Sequence, residues 1–287
     1  MTTVTPEIRA VYGAARPGPM SLVAEGLRDI WSRRRLARYL VQADLKKKGT
    51  DTLLGNIWWV LDPLLQMLVY VVLVTLIAGR AEPDFPLFVF AAILPWKWFS
   101  AALNDAIMSV VSRERIIKQV HFPKIILPVA STLSGIVNFA FGLLPLAALI
   151  VLFYRDRLTI MLLLIPVIAI AQLAFTLGLA ILFAAINVFY RDVGNLARHL
   201  LRLWFYLSPG LYSIDRIQHI LDAQPVVALA FALNPFTILF EAYRAVIYEG
   251  TLPAFDSLAI LTVASLALLG ACTYLFKRLE PAFAKVL

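Results

Sequence analysis

Five apolar runs constrain this chain: about Asn56–Gly79, Leu87–Val111, Ile125–Phe153, Leu158–Phe189 and Ser257–Phe276. Each matches or exceeds the roughly 20 residues that a helix needs to cross the hydrocarbon core of a bilayer. The last three hold no charged residue. Backbone polar groups in lipid must be satisfied within the protein, so runs of this length read as spanning helices. Composition agrees: 61% of the 287 residues are hydrophobic and 15% charged, against about 25% charged in soluble domains. Pro95 is expected to kink the outer part of the second run.

Between the fourth and last runs the pattern breaks. "LWFYLSPGLYS" is interrupted by Pro209-Gly210, and "PVVALAFALNPFTILFEAYRAVIY" by Asn234-Pro235. Short, interrupted apolar pieces suit broken or re-entrant helices, whose free backbone groups must be buried or line a cavity. Counting one broken span here gives six. At the other end, residues 1–20 are rich in Ala, Pro and Gly without a period and read as a disordered tail. From 21 to 55 the chain is basic and amphipathic. Leu27, Ile30 and Trp31, then Leu36, Tyr39 and Leu40, recur at helical spacing beside Arg33, Arg34, Arg35, Arg38, Lys46, Lys47 and Lys48. That pattern predicts a helix on a membrane surface over about 22–48. The expected architecture is an all-α integral membrane protein: a tail, an interface helix, and a six-span unit over 56–287.

Charge sets the orientation. Twenty of the 26 lysines and arginines fall in segments 1–55, 112–124, 189–203 and 277–287. Arg80, Arg155, Arg157, Arg216 and Arg244 fall on the opposite side, and Lys97 lies within a span. This asymmetry places both termini in the cytoplasm. The net charge of +8 then reflects orientation and lipid contact, with no nucleic-acid partner. The stretch "RERIIKQVHFPKIILP" joins the second and third spans on the cytoplasmic side. Four residues would reverse the chain, so a charged helix ending at Phe122-Pro123 reads as a docking element.

Several chemistries lack their motifs. There is no G-x-x-x-x-G-K-[ST] phosphate loop, no H-E-x-x-H or C-x-x-C, and no G-x-S-x-G elbow. His121, His199 and His219 are scattered, and no metal site is expected. Asp62, Asp105 and Glu241 sit on different segments, unlike the clustered carboxylates of a membrane glycosyltransferase. The lone Cys272 leaves the redox compartment unread. Inside the spans, Trp59, Gln66 and Tyr70 share one helical face with Asp62 close to it, and Gln172, Thr176 and Phe183 share another. Polar groups at depth face a bundle interior or water, so these faces read either as a channel wall or as packing. Ser131, Ser134, Gly135, Asn138 and Gly142 give small-xxx-small spacings that suit close helix contact.

Four strings together resemble one family. "ADLKKKGTDTLLGNIWWVLDPLL", "IIKQVHFPKIILP", "NVFYRDVGNLARHLLRLWFYLSPGLYS" and "LNPFTILFEAYRAVIYEG" follow, in order, motifs of the permease subunit of type-2 ABC polysaccharide exporters. That family exports O-antigen, capsule, teichoic acid and cell-wall galactan. The likeness covers about residues 25–287. Gly49-Thr50 departs from it, standing where the family has an aromatic followed by a basic residue. The resemblance implies a bacterial inner-membrane protein without a nucleotide site or cofactor of its own. It implies ATP and Mg bound by a separate ATPase subunit in two copies. It further implies a homodimer with the pathway between the copies and a polyprenyl-diphosphate-linked polysaccharide as substrate. Arg113, Glu114, Arg115, Lys118, His121 and Phe122 then become the contact with the ATPase, and the broken segments become re-entrant outer gate helices. Channel candidates are Trp59, Gln66, Tyr70, Trp204, Tyr206 and Tyr212. Arg38, Lys46, Lys47 and Lys48 are the candidates for the lipid diphosphate. A related exporter of a drug or small lipid, and an integral membrane glycan-processing enzyme, remain the alternatives.

Overall fold

The structure, a computed structural model, describes residues 18–49, 54–75 and 82–287, which form helices and connecting turns with no strand among them. Most of the predicted tail and Thr50 of the Gly49-Thr50 departure therefore lie outside the described residues. The interface segment is two helices, α1 (Pro19–Ser32) and α2 (Arg34–Gly49), hinged at Arg33. Neither is a free surface helix: α1 packs on the C-terminal helix and α2 on the third long run. Ile30 and Leu40 turn toward the protein, while Leu27, Trp31 and Tyr39 stay exposed. Gly26 makes the first crossing possible, because a Cβ there would lie 2.6 Å from the Thr273 methyl.

The first apolar run begins with a 3₁₀ turn at Gly55–Ile57 and continues as α3 (Trp58–Leu73), a helix about 24 Å long at 1.5 Å per residue. The rest of that run, from 76 on, lies outside the described residues. Four helices among the described residues are long and apolar enough to cross a membrane. They are α4 (Phe85–Ser109), α6 (Ile126–Phe153), α7 (Ile165–Phe189, with a 3₁₀ lead-in from Ile160) and α12 (Phe255–Val286). Between α4 and α6 lies α5 (Glu114–Gln119), and after α7 comes α8 (Val193–Leu207). Then follow α9 (Ile214–Ala223), α10 (Pro225–Leu233) and α11 (Pro235–Arg244), the last continuing as one π-helical turn to Glu249. The path bends by 69° between α10 and α11 and could count as a fifth, broken span.

Helix α4 is the hub. It packs against α3, α6, α7, α8 and α11, and 78% of its most apolar stretch is buried, against 28–33% in α6, α7 and α12. The three outer helices thus leave most of their apolar surface for lipid, whereas α4 is enclosed by protein. Small residues permit this. A Cβ on Gly135 of α6 would fall 2.9 Å from Trp98 Cδ1. Gly135→Val should therefore force α6 off α4 and cost about 1–3 kcal/mol, read as a drop in the melting temperature of the purified protein. An unchanged melting temperature would contradict this packing. The polar face on α7 is packing as well: Gln172 and Thr176 are fully buried, and Gln172 Nε2 donates to the Pro95 carbonyl at 2.8 Å.

The segments that the charge count assigns to opposite sides gather at opposite ends. At one end Arg113 pairs with Asp44 at 2.6 Å, and Lys118 donates to the Leu287 carbonyl at 2.6 Å. There also, Lys277 of α12 contacts Glu25 and Asp29 of α1 and Glu280, each at 2.8 Å. At the other end Arg157 meets Asp84 at 3.3 Å, and Arg216 meets Glu82 at 2.6 Å.

Candidate functional site

The enclosed helix has one open side. From Leu87 to Val110 every residue is buried except Lys97, Ser100, Ala101, Asn104, Asp105 and Met108. These recur at i, i+3, i+4, i+7, i+8 and i+11, a single stripe along α4. In a membrane helix a stripe of this polarity marks a face turned to water or substrate. Two ion pairs tie it to its neighbours: Lys97 to Asp62 of α3, and Lys48 of α2 to Asp105 at 2.5 Å.

Along this stripe runs a groove of about 320 Å³. Gln66 and Tyr70 of α3 form one wall, Trp96, Ser100 and Asn104 of α4 the floor, and Arg198, Arg202 and Tyr206 of α8 the other wall. Gln66 Nε2 donates to the Tyr70 hydroxyl at 3.3 Å, and the Tyr70 ring lies 5.7 Å from Phe205. Three of the predicted channel residues, Gln66, Tyr70 and Tyr206, thus meet in one place. The sequence reading missed Ser100, Asn104, Arg198 and Arg202. The period along α4 was available to find the first two. The arginines were counted only among the cytoplasmic charges of 189–203, whereas α8 is one continuous helix from Val193 to Leu207 that sets them along the groove.

The other channel candidates lie elsewhere. Trp59 packs on Phe141 with ring centroids 5.1 Å apart. It opens into a separate chamber of about 360 Å³ with Asp62, Lys97, Trp98 and Asn138. Trp204 is set among the rings of Trp96, Phe99, Phe175 and Phe236, a packing role. Its indole N–H donates to Asn234 Oδ1 at 3.0 Å. Asn234 also accepts from the Phe236 N–H at 3.1 Å, capping α11, and donates from Nδ2 to Ser208 Oγ at 2.8 Å. Tyr212 belongs to the turn after Ser208-Pro209. There the buried Arg244 donates to the carbonyls of Gly210 at 2.9 Å and Tyr212 at 3.4 Å, its guanidinium 3.7 Å from the Phe88 ring centroid. Within the quoted strings, Ser208-Pro209 with Tyr212, Asn234-Pro235, and Tyr243-Arg244 are therefore one structural knot at the break in the chain.

The expected docking element is short. A 3₁₀ turn at Val111–Arg113 leads into the six residues of α5, and Val120 then extends the chain. Arg113 is turned inward to Asp44 and the Ser109 carbonyl, and Phe122 packs into the core beside α12. Arg115, Lys118 and His121 are exposed with the apolar Ile116 and Val120. Lys118 pairs with Glu114 at 2.7 Å, and this hydrogen bond holds the Glu114 carboxyl below the usual carboxylate range. Of the basic residues on α2, Lys48 is committed to Asp105, while Arg38, Lys46 and Lys47 lie on exposed positions.

Comparison with known proteins gives this arrangement a setting. Residues 35–248 match the ABC-2 type transporter family. The chain is 36% identical over 259 residues to the O-antigen export system permease protein RfbA of Myxococcus xanthus, covering 90% of this chain and 98% of that one. Two proteins of the same name from Klebsiella pneumoniae are 25% identical over 248 residues and 27% over 251 residues, each covering 86% of this chain and 93% of theirs. The motifs of the knot, the polar stripe and the segment from Arg113 to Phe122 all fall inside the matched region, and this multi-pass membrane protein belongs to the ABC-2 type transporter family.

Proposed function

We propose that the chain is the permease subunit of an exporter that moves a lipid-linked polysaccharide of the O-antigen class across the bacterial cytoplasmic membrane. It crosses six times with both termini in the cytoplasm, α3 being the first span and the broken path through α8 to α11 supplying the fifth and the outer gate. Two copies enclose the pathway, and two copies of a separate ATPase subunit bind ATP and Mg. The observation that carries this reading is the near end-to-end identity of 36% with a protein named as an O-antigen export permease. The groove on α4 fits it, since a conduit for a polymer needs many weak contacts that each unit can leave as the next arrives. Tyr70, Tyr206 and Gln66 offer broad ring faces and amide or hydroxyl groups suited to sugars. Lipids extracted from the purified protein should contain a polyprenyl diphosphate bearing a repeating glycan by mass spectrometry. Phospholipid alone would count against the reading.

The exposed face of α5, with Arg115, Lys118 and His121, docks on the ATPase. Truncating one partner of a desolvated interface charge pair costs about 2–5 kcal/mol. Arg115→Glu with Lys118→Glu should therefore weaken co-purification of the ATPase or uncouple hydrolysis from export. A double variant that assembles and exports normally would remove the docking role.

A further inference from the structure

The cations facing the polar side of α4 divide into two kinds. Lys97, Lys48 and Arg113 are each neutralised by an acidic partner, Asp62, Asp105 and Asp44. Arg198 and Arg202 are not: among the described residues neither pairs with a carboxylate, and Arg198 donates to Asn195 Oδ1. They stand one turn apart on α8 and both line the groove, opposite Ser100 and Asn104, themselves one turn apart on α4. Both are exposed along the open groove, so water satisfies their N–H donors until an anion takes its place. Guanidinium forks bind phosphate oxygens bidentately. Opposite them, the Asn104 amide has one N–H beyond the one it gives the Ser100 carbonyl at 2.7 Å, and the Ser100 hydroxyl can donate by turning from the Lys97 carbonyl, 3.3 Å away. The i,i+4 spacing sets the two guanidiniums close enough to share one diphosphate group. Beyond Arg202 the same wall continues to Tyr206, facing Gln66 and Tyr70, so charge gives way to ring and hydroxyl surface along the groove.

We propose that Arg198 and Arg202, with Ser100 and Asn104, form the site that holds the diphosphate group of the lipid carrier. This rests on the lipid-linked export reading and moves the loading site from the lysines of α2 into the groove. The exposed Arg38, Lys46 and Lys47 remain near the entrance, where their charge draws the anion in without fixing it. Loading then places the first sugar against Tyr206 and Tyr70.

The test uses the permease purified with its ATPase partner in phosphatidylcholine nanodiscs, with undecaprenyl diphosphate as the probe and binding read by calorimetry. Arg198→Gln with Arg202→Gln should weaken binding by about 10- to 100-fold. Arg202→Lys should weaken it less, because one fork is lost but the charge stays. Lys46→Gln with Lys47→Gln should change it less than about threefold. Neutral undecaprenol should bind weakly and equally to wild type and the double arginine variant. If the double arginine variant binds the diphosphate as wild type does, the site is wrong while the export function stands. If wild type fails to bind undecaprenyl diphosphate, both the site and the lipid-linked substrate fall. If phosphatidylglycerol displaces the probe at equal concentration, the groove is a general anionic-lipid site and the diphosphate assignment is overturned.

Discussion

Arg244→Met should be among the most damaging single changes in this protein. Arg244 is 1% exposed, and its guanidinium joins the π-helical end of α11 to the turn after α8 through the carbonyls of Gly210 and Tyr212. Methionine fills much of the volume but leaves both carbonyls without their donor and removes the cation from the Phe88 ring. Unsatisfied buried polar groups cost about 1–3 kcal/mol each, so a loss of about 3 kcal/mol is expected. For a chain of this size that lowers the melting temperature by roughly 6–12 °C. Export should fail along with it, because the knot positions the break at Pro209-Gly210. Arg244→Lys should recover part of the stability, since one ammonium can reach one carbonyl. A melting temperature within a degree of wild type would show that Arg244 does not hold this turn.

Lys277→Met is the second large effect. Lys277 Nζ contacts Glu25, Asp29 and Glu280, each at 2.8 Å, and Glu280 Oε1 accepts from the Lys124 N–H at 2.5 Å. One ammonium therefore binds α1 to α12 and, through Glu280, to the start of α6. Removing it gathers three carboxylates around an apolar side chain. Breaking a buried ion pair at one partner costs about 3–5 kcal/mol, and the repulsion is relieved most easily by α1 swinging away. Hydrogen exchange in Pro19–Ser32 should accelerate at least tenfold while α6 and α7 stay protected. Uniform protection across α1 would contradict the role assigned to Lys277.

The long helices were legible because a lipid-facing helix needs only length and greasiness. The run expected at Ile125–Phe153 is a helix over Ile126–Phe153, and that expected at Leu87–Val111 is one over Phe85–Ser109. The part around the break was harder. The charges in "YRDVGNLARHLLR" gave only an orientation, yet helix α8 continues through Val193–Leu207 because its charged side faces the groove and its other side buries Ala197, Leu201 and Phe205. Periodicity found the face shared by Gln66 and Tyr70, but it could not tell Tyr206 in the groove from Trp204 in the aromatic cluster, two residues away. Ion pairs such as Lys48–Asp105 join positions 57 apart in sequence, and no local pattern announces them. Helix α5, proposed to dock the ATPase, is shorter than expected because Arg113 turns back to Asp44 and the chain is already extended at Val120, ahead of Pro123.

Deleting the gene and following the polysaccharide tests the central claim most directly. Long-chain polysaccharide should vanish from the cell surface while its lipid-linked form accumulates on the cytoplasmic side of the membrane, as read by mass spectrometry of separated fractions. The wild-type chain should restore surface polymer, and Arg198→Gln with Arg202→Gln should not. Undiminished surface polysaccharide in the deletion strain, with no lipid-linked glycan accumulating inside, would contradict the account.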